Sequence, residues 1–208
     1  MTRAKICGIT RPEDAVLAER LGAWAVGFIL VPNTKRYRPP QHARWISQQL
    51  GPFICRVGVF QDAPPEAVLE HMAQARLQVA QLHGSEPPAW AEAVREHYPV
   101  IKAFKLSGPP DPALLAQALD YPCDALMVDG ANPGSGQGYP LEWLPREPFR
   151  GHPRLIVAGG LNPENLAPVL ALRPYGVDVS SGVEQSPGVK DGQRVGDFLD
   201  LVSRLARR

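Results

Sequence analysis

The stretch Phe53-Ile54-Cys55-Arg56-Val57-Gly58-Val59-Phe60, then Gln61-Asp62-Ala63-Pro64, then Pro65-Glu66-Ala67-Val68-Leu69-Glu70-His71-Met72-Ala73-Gln74-Ala75-Arg76-Leu77, decides the fold. A short run rich in Val, Ile and Phe reads as a strand, and the longer amphipathic segment behind it reads as a helix. Pro65 stands in the first helical turn, where a missing N–H costs little. This βα unit repeats along the chain. Strands are expected near Ala4–Gly8, Ala23–Leu30, Phe53–Phe60, Val79–His83, Val100–Lys105, Ala125–Gly130, Leu155–Gly159 and Gly176–Ser180. Helices are expected over Pro12–Leu21, Pro40–Leu50, Pro65–Leu77, Pro88–His97 and Pro112–Leu119, and another is expected to start at Asn162-Pro163-Glu164-Asn165, with Asn162 as cap and Pro163 in first place. The Gly- and Pro-rich segment from Pro133 to Pro148 reads as a long loop with only a short helix.

Eight such strands match a closed (β/α)₈ TIM barrel, expected as one domain over residues 1–208. An open doubly wound sheet has the same rhythm, but the chain has neither G-x-G-x-x-G after its first strand nor a Walker lysine motif. No Pro/Gly linker separates two cores.

Composition narrows the function. Of the 208 residues 44% are hydrophobic and 21% charged, which suits a packed core rather than disorder. Lys plus Arg number 22 and Asp plus Glu 21, so the net charge of +1 supplies no general attraction for nucleic acid or anionic membrane. The longest apolar stretch, Ala23 to Val31, is far short of the roughly 20 residues that span a bilayer. The start, Met1 to Cys7, runs into strand-like sequence without a signal-peptide core, so a cytoplasmic location is the expectation. Cys7, Cys55 and Cys123 are an odd, widely spaced set that suggests neither a disulfide framework nor a zinc site. The 23 prolines point to rigid loops and fit heat resistance.

In such barrels the C-terminal strand ends carry the chemistry. In Lys5-Ile6-Cys7-Gly8, alternation places Lys5 and Cys7 on one face; with Ile6 toward the helices, Cys7 looks into the mouth. Alone, it reads more readily as a small buried hydrophobe than as a base, which would need a cationic neighbour, for which Lys5 is the candidate. Asp129 ends strand six, either capping the next loop or acting as an acid in the same pocket. Gly159-Gly160 and Ser181-Gly182 follow strands seven and eight, where loop amides commonly hold phosphate. In Asn33-Thr34-Lys35-Arg36-Tyr37-Arg38, Arg36 suits a benzoate-like carboxylate, whereas Lys35 and Arg38 read as solvated. Asp178, inside strand eight, requires a partner such as Lys5 or a substrate hydroxyl or amine. His83 reads as a pocket donor or, preferably, a packed supporting residue. His42, His71, His97 and His152 read as surface residues.

Lys5-Ile6-Cys7-Gly8-Ile9-Thr10, Gly27-Phe28-Ile29, Lys35-Arg36-Tyr37, Val57-Gly58-Val59-Phe60, Gln81-Leu82-His83-Gly84, Gly159-Gly160-Leu161-Asn162-Pro163-Glu164-Asn165 and Val177-Asp178-Val179-Ser180-Ser181-Gly182-Val183-Glu184 together resemble the phosphoribosylanthranilate isomerase family over essentially the whole chain. The resemblance implies a barrel of the ribulose-phosphate-binding type and a place in tryptophan biosynthesis. It implies an Amadori rearrangement of N-(5-phosphoribosyl)anthranilate without metal or organic cofactor. It assigns Cys7 as general base, Asp129 as general acid, Arg36 as the anthranilate clamp, and Gly159, Gly160, Ser181 and Gly182 to phosphate. After Asp129-Gly130 the chain departs from the family pattern, with Pro133 in place of a glycine. The expected partner is a small-molecule substrate, with no nucleic acid and no membrane, and a homodimer is compatible. The rival readings are an indole-glycerol-phosphate synthase-like barrel, against which Cys7 argues, and a non-catalytic sugar-phosphate-binding barrel, which would have no need of Cys7 and Asp129 together.

Overall fold

In the computed structural model, residues 1–109, 111–130, 140–144 and 154–205 are described. Chain order is β1 (Arg3–Ile6), α1 (Pro12–Arg20), β2 (Ala25–Ile29), α2 (Pro40–Ser47), β3 (Cys55–Phe60), α3 (Pro65–Ala75), β4 (Val79–Leu82), α4 (Pro88–Arg95), β5 (Val100–Leu106), α5 (Pro112–Asp120), β6 (Ala125–Gly130), β7 (Leu155–Val157), α6 (Leu166–Ala171), β8 (Gly176–Val179), β9 (Glu184–Ser186), β10 (Val189–Lys190) and α7 (Gly192–Leu205). Parallel pairing runs from β1 through β8 and closes between β8 and β1. The expected (β/α)₈ barrel is therefore observed. Between β6 and β7 the described residues hold a single 3₁₀ turn, Leu141–Trp143; the rest of the expected long loop, including Pro133, lies outside the described residues, as does His152.

Five helices, α1 to α5, start on proline. Pro39, Pro64 and Pro87 each precede another proline and hold extended backbone with ψ of 153°, 153° and 152°. The second proline crowds the first out of helical ψ, so each pair ends a loop and begins a helix at a fixed residue. Only α5 among these has a side-chain cap, Asp111 accepting from Leu114 N at 2.7 Å. The helix expected from Pro163 instead begins at Leu166. Asn162 and Asn165 exchange hydrogen bonds, each side-chain oxygen accepting the other's backbone N–H at 2.9 Å, which ties the preceding turn into its own closed unit. The β9–β10 hairpin had no sequence signal.

One apolar cluster, with Phe28, Phe60, Ile46, Met72, Leu126, Leu166 and Phe198, fills the space between strands and helices. A smaller one, Val57, Ile101, Ala103, Ala125, Met127, Ile156 and Ala158, fills the barrel interior below the mouth. Outward-pointing Lys102 on β5 interrupts the apolar packing: its ammonium meets Glu86 Oε2 at 2.5 Å and Gly84 O at 2.7 Å. Glu86 in turn accepts the N–H groups of Asp62 and Gly84, each at 3.0 Å, so the pair pins the loop after β4. Both side chains are buried, and removing one partner strands the other's charge. Lys102→Met is expected to cost about 3–5 kcal/mol of stability, measured by urea unfolding.

Candidate active site

The C-terminal strand ends enclose a cavity of about 180 Å³ lined by Cys7, Arg36, Gln81, His83, Asp129, Asp178 and Ser180, with Ile29, Val31, Thr34, Val59 and Gln61. Cys7 reaches it because its N–H is held by Val179 O at 2.8 Å and the chain then turns at Gly8, whose φ is +72°. A Cβ at Gly8 would also lie 2.6 Å from Arg36 Cδ, so glycine both permits the turn and lets Arg36 lie across it.

Lys5 and Asp178 pair in register between β1 and β8, and their side chains meet at 2.9 Å inside the barrel. Burial opposes the Lys5 ammonium, but the Asp178 carboxylate, with the Cys7 sulfur as a further acceptor, more than offsets it and holds its pKa above the ordinary lysine value. The expected partner of Asp178 is thus Lys5. Gly27 on β2 makes the other half of this arrangement possible: a Cβ there would fall 2.7 Å from Cys7 Sγ and 3.1 Å from Lys5 Nζ. Thiol and ammonium therefore share the space above Gly27. Cys7 is nonetheless a thiol at rest. Burial pushes its pKa up, Lys5 and Lys190 pull it down, Asp178 opposes them, and the net shift is upward. Lys5 softens the penalty on the thiolate without abolishing it.

Arg36 departs from a free clamp. Its Nε and Nη2 hold Glu184 bidentately at 2.9 and 2.7 Å, and the hydrogen bonds to Glu184 hold its guanidinium pKa above the ordinary value. Burial works against the Glu184 carboxylate, but Arg36 and Lys190 lower its pKa overall. Lys190 donates to Glu184 Oε1, Cys7 O and Ser180 O at 2.9, 2.6 and 3.2 Å, joining the hairpin to both strand ends. Sequence reading assigned Glu184 and Lys190 no role: Glu184 stood in a quoted motif, and nothing marked Lys190. Arg38, expected in solvent, is instead partly buried and donates to Thr10 O and Tyr37 O at 3.0 and 2.6 Å; Lys35 is exposed as expected.

Asp129 Oδ1 accepts Gly130 N at 2.7 Å, and Oδ2 lies 3.1 Å from His83 Nε2. His83 is therefore at the pocket wall. Gly159 and Gly160 have φ of +88° and +64°, the conformation glycine favours. A Cβ at Gly182 would collide with Leu161 O, so the loops after β7 and β8 pack backbone to backbone. Gly159, Gly160, Ser181 and Gly182 thus come together beside, rather than within, the enclosed cavity.

Residues 4–201 match the family model described as N-(5'phosphoribosyl)anthranilate (PRA) isomerase. The chain belongs to this family. Among the relatives is the N-(5'-phosphoribosyl)anthranilate isomerase of Thermotoga maritima, 42% identical over 99% of this chain and 100% of its own length. The enzyme of the same name from Geobacter sp. (strain M21) is 41% identical, with 99% and 100% covered. The crystal structure of phosphoribosyl anthranilate isomerase from Thermus thermophilus is 55% identical, covering 98% of this chain and 100% of that one, with a TM-score of 0.91. A phosphoribosyl anthranilate isomerase solved with reduced 1-(o-carboxyphenylamino)-1-deoxyribulose 5-phosphate is 39% identical, covering 100% and 99%, with a TM-score of 0.83. Family membership directs attention to the resting thiol. Iodoacetamide alkylation of Cys7, followed by peptide mass spectrometry, is expected to be slow at pH 7 and still accelerating above the ordinary thiol pKa of 9.0.

Proposed function

We propose that this chain isomerises N-(5'-phosphoribosyl)anthranilate to 1-(2-carboxyphenylamino)-1-deoxyribulose 5-phosphate in tryptophan biosynthesis. The observation that carries the reading is the convergence of Cys7 and Asp129 in one small cavity on a chain of this family. The Asp129 carboxyl gives a proton to the furanose ring oxygen as the bond from that oxygen to C1′ breaks, and the anthranilate nitrogen lone pair forms C1′=N. The resulting iminium acidifies the C2′ hydrogen. Cys7, its own S–H proton passed to the Asp129 carboxylate that ring opening has just left, takes the C2′ proton as thiolate, and the C–H electrons become the C1′=C2′ bond of an enolamine. Proton gain at C1′ and loss from the C2′ hydroxyl then give the ketone. The net change is an isomerisation, and the chemistry calls for no metal or organic cofactor.

The resting thiol is consistent with this order, since the positive iminium beside C2′ favours thiolate only after the ring has opened. Arg36 clamps the anthranilate carboxylate, with Glu184 as its counter-ion before substrate arrives. The loops of Gly159, Gly160, Ser181 and Gly182 take the phosphate through backbone amides. Asp178 acts through Lys5, and also offers an acceptor to a substrate hydroxyl. Purified protein is expected to consume the substrate, read as a change in anthranilate fluorescence, while Cys7→Ser and Asp129→Asn each lower kcat by about 10²-fold or more with KM little altered. An unchanged substrate signal overturns the reading.

Among the described residues no helix is long and apolar enough to cross a membrane, and a cytoplasmic setting as one catalytic domain over residues 1–208 fits that. We also propose that the chain forms a homodimer through the N-terminal end of its barrel. A solved relative from Thermotoga maritima, 38% identical, is described as a monomeric form of a dimeric enzyme. Here a cavity of about 410 Å³, walled by Val57, Val79, Ile101, Ala125 and Ile156, opens at that end. Phe53, 99% exposed, stands two residues before Cys55 on the same rim, near half-exposed Trp24. One protuberance and one apolar recess on the same face suit a two-fold contact between copies. Phe53→Asp is expected to lower the mass measured by sedimentation to that of one chain, with kcat/KM within about threefold of the parent.

A further inference from the structure

Two polar side chains of β4 and its end lie beside Asp129 without a place in the proton transfers above. Gln81 is 1% exposed, and its Nε2 stands 2.9 Å from His83 Nδ1 and 3.4 Å from Met127 Sδ. An amide nitrogen only donates, so Nδ1 is the accepting nitrogen and the neutral imidazole carries its proton on Nε2. The Met127 sulfur supports this orientation of the amide, because the reverse would turn the carbonyl oxygen onto the sulfur lone pairs. Its cost is visible: Gln81 Oε1 is buried without a hydrogen bond. A buried amide left half-satisfied in order to hold one tautomer calls for a reason.

The reason lies at the other nitrogen. His83 Nε2 is 3.1 Å from Asp129 Oδ2, yet the N–H does not point along that line, and Nε2 has no hydrogen bond in the resting structure. Asp129 Oδ1 already accepts Gly130 N, so the carboxyl is anchored on one side and faced by an idle donor on the other. Donors in active sites are often misaligned at rest and close as charge develops. We propose that Gln81 and His83 are positioning residues for proton donation by Asp129: Gln81 holds His83 as the Nε2–H tautomer, and that N–H closes on Oδ2 as the carboxyl gives up its proton. The inference rests on Asp129 being the acid.

The other charged groups around the pair are placed differently. Cys7, Lys5 and Asp178 stand across the cavity on β1 and β8, and Arg36 is committed to Glu184. Lys105 pairs in register with Asp129 from β5 but is exposed, and Asp62, Glu86 and Lys102 surround Gly84 beyond the end of β4. Among the described residues, His83 makes the only side-chain approach to Asp129 within ion-pair distance.

His83→Ala is expected to lower kcat about 10- to 100-fold with KM within about threefold, since a donor used only as charge develops acts on the transition state. The limb of the kcat/KM profile that the ionisation of Asp129 sets is expected to move up by half a pH unit or more, because a stabiliser of the carboxylate is gone. His83→Gln, which presents an amide N–H near the Nε2 position, is expected to restore most of both. Gln81→Met, close in volume, is expected to add little to the loss in a double variant with His83→Ala, as required of a residue that acts through His83. An unmoved limb in folded His83→Ala, a loss residing in KM, or fully additive losses overturns the proposal. Asp129→Asn, assayed alongside, separates the two failures: near-native turnover there removes the acid itself, whereas a dead Asp129→Asn with an unmoved limb in His83→Ala removes only the positioning role.

Discussion

Closure of the sheet between β8 and β1 is the constraint on which the site depends. That seam sets Lys5 against Asp178 in register and brings their charges to 2.9 Å inside the barrel. Neither charge is tolerable there alone, since an unpaired ion in such a place is strongly destabilising. Paired, they give the interior a fixed dipole directly under Cys7. An open sheet of the same elements would leave both strands as edges, and the two charges apart.

Around the thiol, each cation among the described residues already has a partner. Lys5 faces Asp178, while Arg36 and Lys190 share Glu184. Burial lowers the Lys190 pKa below the ordinary lysine value despite the Glu184 carboxylate beside it. Burial above all, with Asp178 opposing the pull of Lys5, keeps Cys7 a thiol although several cations stand near it. Such a pocket carries little net field when empty, and on the proposed function an anionic ligand alters that balance by drawing on Arg36. On that same reading reactivity arises on binding rather than being held continuously in an exposed thiolate.

Most of the fold was legible because its signals are local. Prolines at helix starts restrict φ or ψ over one or two residues, and the alternation of short apolar runs with amphipathic segments needs no knowledge of distant contacts. The miss at Asn162-Pro163 has the same scale. Pro163 is equally at home in a turn, and the exchange between Asn162 and Asn165 settled the matter for a turn that ends before Leu166. Strand alternation similarly put Cys7 and Asp129 at the mouth, but left each with two readings until the resemblance was brought in.

By itself, then, the sequence determined the βα rhythm, the residues at each strand tip, and the glycines that admit close backbone approach. The tertiary structure alone decided the partners: Lys5 with Asp178, Arg36 with Glu184, Lys190 with Cys7 O, and His83 Nε2 beside Asp129. The first three pairs join residues 173, 148 and 183 positions apart. Local propensity acts over a few residues, whereas these contacts follow from strand order, register and barrel closure. A charged residue's chemistry is set by the neighbour it meets, and in this chain those neighbours are supplied by distant parts of the same ring.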